Sequence, residues 1–547
     1  MLRFVVLIYL VQSVISGAVN AQTVLYVDTH APGSIQDGSS WTQAFTDLQS
    51  ALALAAAGAT LHVADGTYVP DPGGLANPRL ATFRVIDGVS IYGGFAGFGA
   101  PEPDKRNILI NKTILSGDLQ GDDVADDFPD GTSVANNVYH VVTANGTSVA
   151  TLLDGLTITA GKADAGQDDD DCGGGLLNVG GNLRVVDCVF SHNSAASCGG
   201  GMYTSAGSPV LTGCLFRSNS ASRGGAVHNN HESPTFSRCS FLANIATGAG
   251  GGGVYNSGGG PEFSDCFFLD NVAAATSLLE GGGAIRSSFG STTLENCVLR
   301  GNSGGAGGAL FSESFSRLTV ANCLFSQNLG LLVGGAIYCR QNVTLGVSTS
   351  TFADNAASDG RSLAFDSQDQ KYPSTADLTD CILWDGENGI WDNDGSMVTI
   401  AFSDIRGGWP DGKNIDDDPL FVAGPNGDYY LAHSSAGQLY DSPCFDVGSG
   451  MADNLGFGQM TTRSDEHTDT GTIDMGYHYP ITGQAFTPGD FDRDGAVTLS
   501  DYAQFQRCFT GEADLNALPA CRAFDMEPDG SVTLIDFSTF QRSLIGR

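Results

Sequence analysis

Between residues 170 and 360, the chain repeats one order of small, apolar and polar positions with no helical period. Each repeat has three small residues, an apolar stretch and a variable turn, and it ends in the pattern x-Cys-x-Phe-x-x-Asn. The successive sets of the last three marked positions are Cys188/Phe190/Asn193, Cys214/Phe216/Asn219, Cys239/Phe241/Asn244, Cys266/Phe268/Asn271, Cys297/Leu299/Asn302, Cys323/Phe325/Asn328 and Ser350/Phe352/Asn355. The first position recurs after 26, 25, 27, 31, 26 and 27 residues.

The small-residue half of the repeat keeps the same step. One equivalent position follows Gly-Gly in every repeat and holds Gly175, Gly201, Ala226, Gly253, Ala284, Ala309 and Ala336. Its spacings are 26, 25, 27, 31, 25 and 27 residues, so the two series agree independently. Small residues are expected where a chain bends sharply against the layer above it.

These spacings predict a solenoid of stacked β-coils. Residues two apart in a strand point to the same side, so the Cys and Phe positions share the inner face. Coils that pair through parallel ladders lie about 4.8 Å apart, which stacks Phe on Phe and Cys on Cys. The Asn that follows should form a ladder by bonding backbone groups at an inward turn.

The repeats resemble those of polymorphic outer-membrane proteins, whose marks are G-G-A-[ILV] and F-x-x-N. Matches to the first mark end at Val227, Ile285, Leu310 and Ile337, and matches to the second begin at Phe216 and Phe325. The resemblance implies a right-handed, single-stranded parallel β-helix of the pectin-lyase-like type, mainly β, with repeats over about 150–410.

The flanks predict the remaining domains. Residues 1–21 read as a signal peptide, with a basic start, an apolar stretch over 4–15 and a V-x-A cleavage site before Gln22. The β-helix then covers 22–484, with an N-terminal cap over about 22–60 that includes a helix from 42 to 56. A closing segment over about 411–484 resembles that of secreted bacterial β-helix proteins. We therefore expect an extracellular or cell-surface monomer with no transmembrane segment in the mature chain.

The C-terminal region carries two calcium-loop motifs. Oxygen ligands at loop positions 1, 3, 5, 7, 9 and 12, with Gly at position 6, are the requirement of the twelve-residue calcium loop. The first loop places Asp490, Asp492, Asp494, Ala496 (through its carbonyl), Thr498 and Asp501 at these positions, and the second places Asp525, Glu527, Asp529, Ser531, Thr533 and Asp536 there. The sequence therefore predicts two Ca²⁺ sites, and further sites on the solenoid stay open.

Two such loops, each followed by a short helix, look like a dockerin, a small α-helical module that covers 485–547 here. The resemblance implies docking onto a cohesin. Loop positions 10 and 11 hold Leu499-Ser500 and Leu534-Ile535 in place of the usual Ser-Thr, so a different docking protein is an alternative partner.

Charge narrows the class of ligand. The 61 acidic and 25 basic side chains give a net charge of −36, which repels nucleic acid and attracts divalent cations. We expect the cysteines of the repeats to form an inward stack of thiols, with disulfides between coils as the alternative. Cys172 and Cys198 each precede Gly-Gly-Gly on adjacent coils and could cross-link.

Several groups could carry chemistry on the solenoid. Acidic clusters occur at Asp118, Asp122, Asp123, Asp126 and Asp127 and at 168–171; both are read as solvated loops or incidental calcium sites in preference to paired catalytic acids. Residues 228–231, His-Asn-Asn-His, are read as an outer turn that could bind sugar or metal. Equivalent outward positions hold Tyr203, Tyr255, Phe311 and Tyr338, which could stack on sugars or pack under loops.

No catalytic residue is assigned. The N-T-D, G-H-G and R-I-K signatures of polygalacturonases are missing from the sequence. We expect a β-helix that binds glycan or protein and is attached through the calcium module. A polysaccharide lyase or glycoside hydrolase borne on a dockerin and a purely structural solenoid are the alternatives. A groove with carboxylates about 5–10 Å apart beside aromatic side chains would favour the enzyme.

Overall fold

The chain folds as a parallel β-solenoid of about twelve turns. The computed structural model describes residues 23–124, 128–166, 168–274, 277–367, 370–410 and 412–481. The predicted signal peptide and the calcium-loop module over 485–547 lie outside these residues. The prediction of a mainly β, parallel solenoid is confirmed.

Four parallel sheets run along the solenoid. Sheet A consists of Val24–Val27, Thr60–Ala64, Ser90–Phe95, Leu152–Asp154, Arg184–Val186, Val210–Thr212, Thr235–Ser237, Glu262–Ser264, Ser291–Glu295, Arg317–Ala321, Thr344–Ser348, Thr375–Thr379 and Met397–Ala401. Sheet B consists of Gly66–Tyr68, Thr113–Ser116, Leu156–Thr159, Val189–Ser191, Leu215–Arg217, Ser240–Leu242, Phe267–Leu269, Val298–Arg300, Leu324–Ser326, Thr351–Ala353, Ile382–Leu383 and Asp404–Ile405.

The other two sheets are shorter. Sheet C consists of Phe83–Arg84, Val142–Thr143, Leu176–Val179, Met202–Ser205, Val227–Asn230, Val254–Ser257, Ile285–Ser288, Leu310–Glu313, Ile337–Arg340, Leu363–Asp366 and Ile390–Asp392. Sheet D consists of Lys162–Ala163, Ser194–Cys198, Ser220–Arg223, Ile245–Gly250, Val272–Ala273, Ser303–Ala306 and Leu329–Val333. In the central coils, the chain passes through sheets C, A, B and D in that order.

The repeat stacks in register, as predicted. Phe190 pairs with Phe216 and Phe216 with Phe241, and the ring centroids of these pairs lie 4.6 and 5.2 Å apart. The cysteines of the repeat are buried and unbridged, at Cys188, Cys214, Cys239, Cys266, Cys297, Cys323 and Cys381. Burial raises the pKa of Cys381 to about 12, so this thiol is neutral. The stack of thiols is therefore confirmed.

The asparagines form the predicted ladder at the turn between sheets B and D. The side-chain Nδ2 of Asn244 donates to Asn271 Oδ1 (2.9 Å), and Asn271 Nδ2 donates to Asn302 Oδ1 (3.0 Å). The same bond recurs from Asn193 to Asn355. The ladder satisfies backbone groups in a dry turn, where an unpaired polar group would cost about 1–3 kcal/mol.

The glycine-rich corner between sheets D and C has no room for side chains at two positions, so it requires glycine there. Gly224 has a φ of +64°, and a Cβ there would lie 2.1 Å from the carbonyl oxygen of Val227. One position further, a Cβ on Gly225 would lie 2.5 Å from the carbonyl oxygen of Gly252 in the next coil. A side chain at Gly225 would force neighbouring coils apart, and one at Gly224 would clash with the following strand of its own coil.

The N-terminal cap differs in detail from the prediction. A 3₁₀ helix covers Trp41–Gln43 and an α-helix covers Leu48–Leu54, whereas the sequence predicts one helix over 42–56. The α-helix begins after Asp47, whose side chain accepts a hydrogen bond from Ser50 N. The strand Val24–Val27 pairs with Thr60–Ala64, so the first strand of the solenoid already lies within the cap.

The closing segment covers part of the outer face of sheet B. It contains the hairpin Phe421–Gly424/Gly427–Leu431, the helix Ala452–Leu455 and the antiparallel pair Met460–Thr461/Tyr479–Pro480. Tyr residues of this segment pack against Leu324 and Ala353 of sheet B.

Two further expectations can be compared with the structure. Cys172 and Cys198 form a disulfide, as their positions on adjacent coils predicted. No helix among the described residues is long and apolar enough to cross a membrane.

Candidate functional site

A polar cleft opens near the C-terminal end of the solenoid, where sheet B meets the turn that follows it. Its volume is about 610 Å³. Three successive coils contribute side chains, because Thr351–Ala353 pairs with Ile382–Leu383, which pairs with Asp404–Ile405. The cleft is lined by Asp354, Asn355, Arg361, Trp384, Asp385, Gly386, Glu387, Asn388 and Arg406.

Asp385 replaces asparagine at the end of the Asn ladder. Its Oδ1 accepts a hydrogen bond from Asn355 N (2.7 Å), and its Oδ2 accepts one from Ser362 Oγ (2.7 Å). Burial raises the pKa of Asp385 to about 6, although these hydrogen bonds oppose the rise. Both carboxylate oxygens are therefore engaged within the protein.

Arg361 packs against the turn that follows Asp385 and contributes to the lining of the cleft. Arg361 Nη1 donates to the carbonyl oxygen of Asp385 (3.1 Å). Gly386 has a φ of +113°, and a Cβ there would lie 2.8 Å from Arg361 Nη1. Glycine at this position thus permits both the turn and the passage of the guanidinium.

Trp384 and Arg406 occupy corresponding positions on successive coils. The guanidinium carbon of Arg406 lies 5.4 Å from the centroid of the Trp384 ring, within the range of a cation–π contact. Trp384 is half-buried and Arg406 is exposed. The pair offers a planar apolar surface with hydrogen-bond donors beside it.

Carboxylates line the rest of the cleft. Asp354 is exposed, and its Oδ2 accepts a hydrogen bond from Tyr429 Oη of the closing segment (2.8 Å). Glu387 is exposed on the opposing turn, beside Asn388. Two guanidinium groups, the exposed carboxylates of Asp354 and Glu387 and the exposed amide of Asn388 surround one tryptophan, and they can bind a polyhydroxylated ligand through hydrogen bonds and ring stacking.

The acidic clusters that the sequence singles out lie elsewhere. Asp118, Asp122 and Asp123 do come together on an exposed loop, where Asp118 accepts hydrogen bonds from backbone N–H groups of residues 120–123. Asp168–Asp171 forms a 3₁₀ helix, and Asp170 lies 3.3 Å from His140 Nε2. Neither cluster joins the cleft.

The two predicted calcium loops lie beyond the part of the chain that the structure describes. Their twelve ligand residues, from Asp490 to Asp536, lie outside the described residues, as do Asp126 and Asp127.

The interpretation of residues 228–231 as an outer turn is wrong. His228 and Asn229 lie in the strand Val227–Asn230, so their side chains point to opposite faces. His228 is buried between the rings of Tyr203 and Tyr255, and burial lowers its pKa to about 3. Only His231 lies in the turn, and it is exposed. The four residues therefore form no common ligand set.

The aromatic positions of sheet C are in register, as predicted. Tyr203 pairs with His228, and the same row continues through Tyr255 to Phe311 and Tyr338. Tyr203, Phe311 and Tyr338 are buried under neighbouring chain, which confirms the packing alternative for these three. The row therefore offers little ring surface to a ligand.

None of the site residues predicted from the sequence lines the cleft. A signal does exist: the turn after Leu383 is one residue shorter than the turn after Phe352, and it brings Asp385 into the Asn position. The loss of the Cys-x-Phe-x-x-Asn pattern in this coil, together with the change to Trp-Asp-Gly-Glu-Asn over 384–388, marks the place where the repeat departs from its structural role.

Comparisons with known proteins give similarity to solved structures alone. No protein-family model and no curated protein sequence matches the chain. The chain is similar to the crystal structure of pectate lyase Pel9A, with 13% identity and a TM-score of 0.41 over 83% of this chain and 96% of that one. It is also similar to a rhamnogalacturonan lyase (11% identity, TM-score 0.28, 76% and 97% covered) and to the receptor binding domain of the Siphovirus 9NA tailspike (10% identity, TM-score 0.20, 72% and 80% covered).

Proposed function

We propose that this protein is a secreted or cell-surface β-helix that binds glycan through the cleft around Trp384. The observation that carries the proposal is the combination of one half-buried indole with two guanidinium groups and two exposed carboxylates, Asp354 and Glu387, on adjacent coils. Sugar rings present apolar C–H faces to stack on an indole and hydroxyl groups to bond with charged donors and acceptors. Such mixed recognition is poorly suited to a purely apolar ligand.

A binding role fits the cleft better than a catalytic role. Asp385, whose raised pKa would suit a general acid, has both oxygens engaged by Asn355 and Ser362. Its burial is explained by its place at the end of the Asn ladder. A lyase or glycoside hydrolase is kept as the second candidate, because Asp354 and Glu387 present exposed carboxylates in the same cleft.

We further propose that residues 485–547 attach the β-helix to a docking protein in a calcium-dependent manner. The support is the pair of duplicated loops with acidic residues at positions 1, 3, 5 and 12. Isothermal titration should show that Asp490→Ala and Asp525→Ala each remove one Ca²⁺ ion relative to the wild type, because position 1 of the loop requires a carboxylate. An unchanged ion count in either variant would contradict this assignment.

The test of the cleft compares Trp384→Ala and Arg406→Ala with the wild type in binding to a panel of neutral and acidic polysaccharides. Each variant should weaken binding about tenfold or more, as expected for a central contact of an interface. Arg84→Ala, which removes an exposed arginine of sheet C far along the solenoid, is the matched control. Equal affinity of the variants and the wild type would refute the assignment of the cleft.

The same panel decides between binding and catalysis. New reducing ends or unsaturated products that vanish in Asp354→Asn or Glu387→Gln would make this protein a carbohydrase. Binding without any released product supports the binding role.

A further inference from the structure

Three large aromatic side chains protrude from the edge between sheets C and A. Phe289 is 68% exposed, Phe315 is 59% exposed and Tyr372 is 38% exposed. Phe289 and Phe315 lie in the turns that follow Ile285–Ser288 and Leu310–Glu313. This group, here called the aromatic edge, is separate from the cleft around Trp384, which lies at the end of sheet B.

Both phenylalanines are held in an unfavourable backbone conformation. Phe289 has a φ of +58° and Phe315 a φ of +61°, a region that costs an L-residue about 1–2 kcal/mol. The preceding coil uses Gly258, with a φ of +80°, at the position that corresponds to Phe289. Glycine would adopt this turn without strain. Rings that stay exposed to solvent also contribute little hydrophobic free energy to folding. Neither the backbone nor the core therefore explains the two phenylalanines.

The coil spacing arranges these rings along the solenoid axis. Phe289 N donates to the carbonyl oxygen of Glu313 in the next coil, and Phe315 N donates to that of Gln341 (2.9 Å) in the one after. The rings of Phe315 and Tyr372 lie 5.6 Å apart, at 61° to each other. Phe289 lies one coil, about 4.8 Å, before Phe315, so the three rings extend over roughly 10 Å. A ligand that fits it is extended and follows the axis.

Polar groups surround the rings. Ser314 and Gln341 are half-exposed and Asn342 is exposed, so hydroxyl and amide groups flank the aromatic surface. The Lys371 ammonium lies 5.0 Å from the centroid of the Tyr372 ring and adds a further hydrogen-bond donor. A protein-binding hot spot would be expected to lie within a broader apolar patch. The net charge of −36 opposes binding of nucleic acid, whose bases also stack on aromatic rings.

We infer that the aromatic edge binds an uncharged polysaccharide chain laid along the solenoid. The rings stack against the C–H faces of successive sugar residues, and the flanking hydroxyl and amide groups bond to sugar hydroxyls. The inference goes beyond the proposed cleft, because it assigns a second surface and a class of glycan. It does not depend on what the cleft binds.

The test is native affinity electrophoresis of the full chain in gels that contain hydroxyethylcellulose, galactomannan or polygalacturonate. At least one uncharged polymer should retard the wild type. The double variant Phe289→Gly/Phe315→Gly should weaken this binding about tenfold or more. Because glycine relieves both positive-φ turns, the thermal midpoint of the double variant should equal or exceed that of the wild type.

Tyr440→Ala, which removes an aromatic ring that is 67% exposed in the closing segment, is the matched control and should bind as the wild type does. The inference is wrong if neither uncharged polymer retards the wild type, if polygalacturonate alone does so, or if the double variant keeps its affinity. Concentration-dependent dimerisation that the double variant abolishes would assign the edge to a second copy of the chain instead. Loss of uncharged-polymer binding in Trp384→Ala alone would support the cleft and contradict the edge.

Discussion

Replacing Asn271 by alanine should destabilise the middle of the solenoid by about 4 kcal/mol. The Asn271 side chain takes part in four hydrogen bonds. It donates to Phe241 O (2.8 Å) and Asn302 Oδ1 (3.0 Å), and it accepts from Asn244 N (3.1 Å) and Asn244 Nδ2 (2.9 Å). Each bond contributes about 1 kcal/mol net, and the lost acceptor leaves the buried N–H of Asn244 without its side-chain partner.

The appropriate assay is native-state hydrogen exchange followed by mass spectrometry. A solenoid coil contacts only its two neighbours, so the loss of protection should concentrate in peptides that cover 239–302 and should fade towards both ends of the solenoid. A global unfolding curve would average this local effect over several coils and over the C-terminal module.

Asn388→Ala is the matched control. Asn388 is exposed, and its Nδ2 donates to Ser358 O (3.2 Å) in an exposed turn. Its loss should cost less than about 1 kcal/mol. If Asn271→Ala lowered the protection of the central coils no more than the control lowers that of its own coil, the ladder would not be the stabilising element that its geometry indicates.

Three further predictions follow from buried groups. The Cys172→Ala/Cys198→Ala variant should lose about 3.5 kcal/mol locally, from the entropy of a loop with a sequence separation of 26, and exchange protection near Gly173 should show this; unchanged protection there would contradict the expectation. Cys266→Ser should be tolerated better than Cys266→Leu by thermal midpoint, because Ser350 already fills the same position with its Oγ donating to Ser348 O (2.7 Å), whereas extra volume in this core costs about 1–3 kcal/mol; a reversed order would count against the packed stack. In the closing segment, burial and the nearby Asp469 raise the pKa of Asp474 to about 7, whereas an Asp in the unfolded chain titrates near 4. Between these two pH values only the native state holds this proton, so exchange protection of the closing segment should fall as the pH rises from 5 through 7. Asp474→Asn should flatten that fall.

The sequence predicts the solenoid because every coil solves the same packing problem. Cys and Phe recur at the inner positions, and Asn recurs at the inner turn, since each must match its own copy in the coils above and below. The structure confirms these positions down to the pairing of Phe216 with Phe241 and of Asn219 with Asn244. The repeat alone is therefore enough to predict the register between neighbouring coils.

The candidate sites could not be predicted in the same way. Trp384 and Arg406 meet because Ile382–Leu383 pairs with Asp404–Ile405, but their separation of 22 residues is shorter than any spacing of the repeat, so the repeat does not predict this pairing. The error at His228 has a related cause, because alternation along a strand separates neighbours such as His228 and Asn229 that look like one cluster in the sequence. The exposure of Phe289 and Phe315 also depends on turn geometry, which residue type alone does not reveal.

The Asn ladder gives the solenoid an electrical direction. From Asn193 to Asn355, each side-chain amide donates one N–H to the following coil and the other to a backbone carbonyl of the preceding coil. Each amide oxygen points towards the preceding coil, so the C=O dipoles add head to tail. The positive end of this column faces Asp385, the carboxylate at the floor of the cleft. The aligned amide dipoles therefore partly compensate the buried negative charge of Asp385 at one end of the ladder. The two ends of the solenoid are thus not electrostatically equivalent.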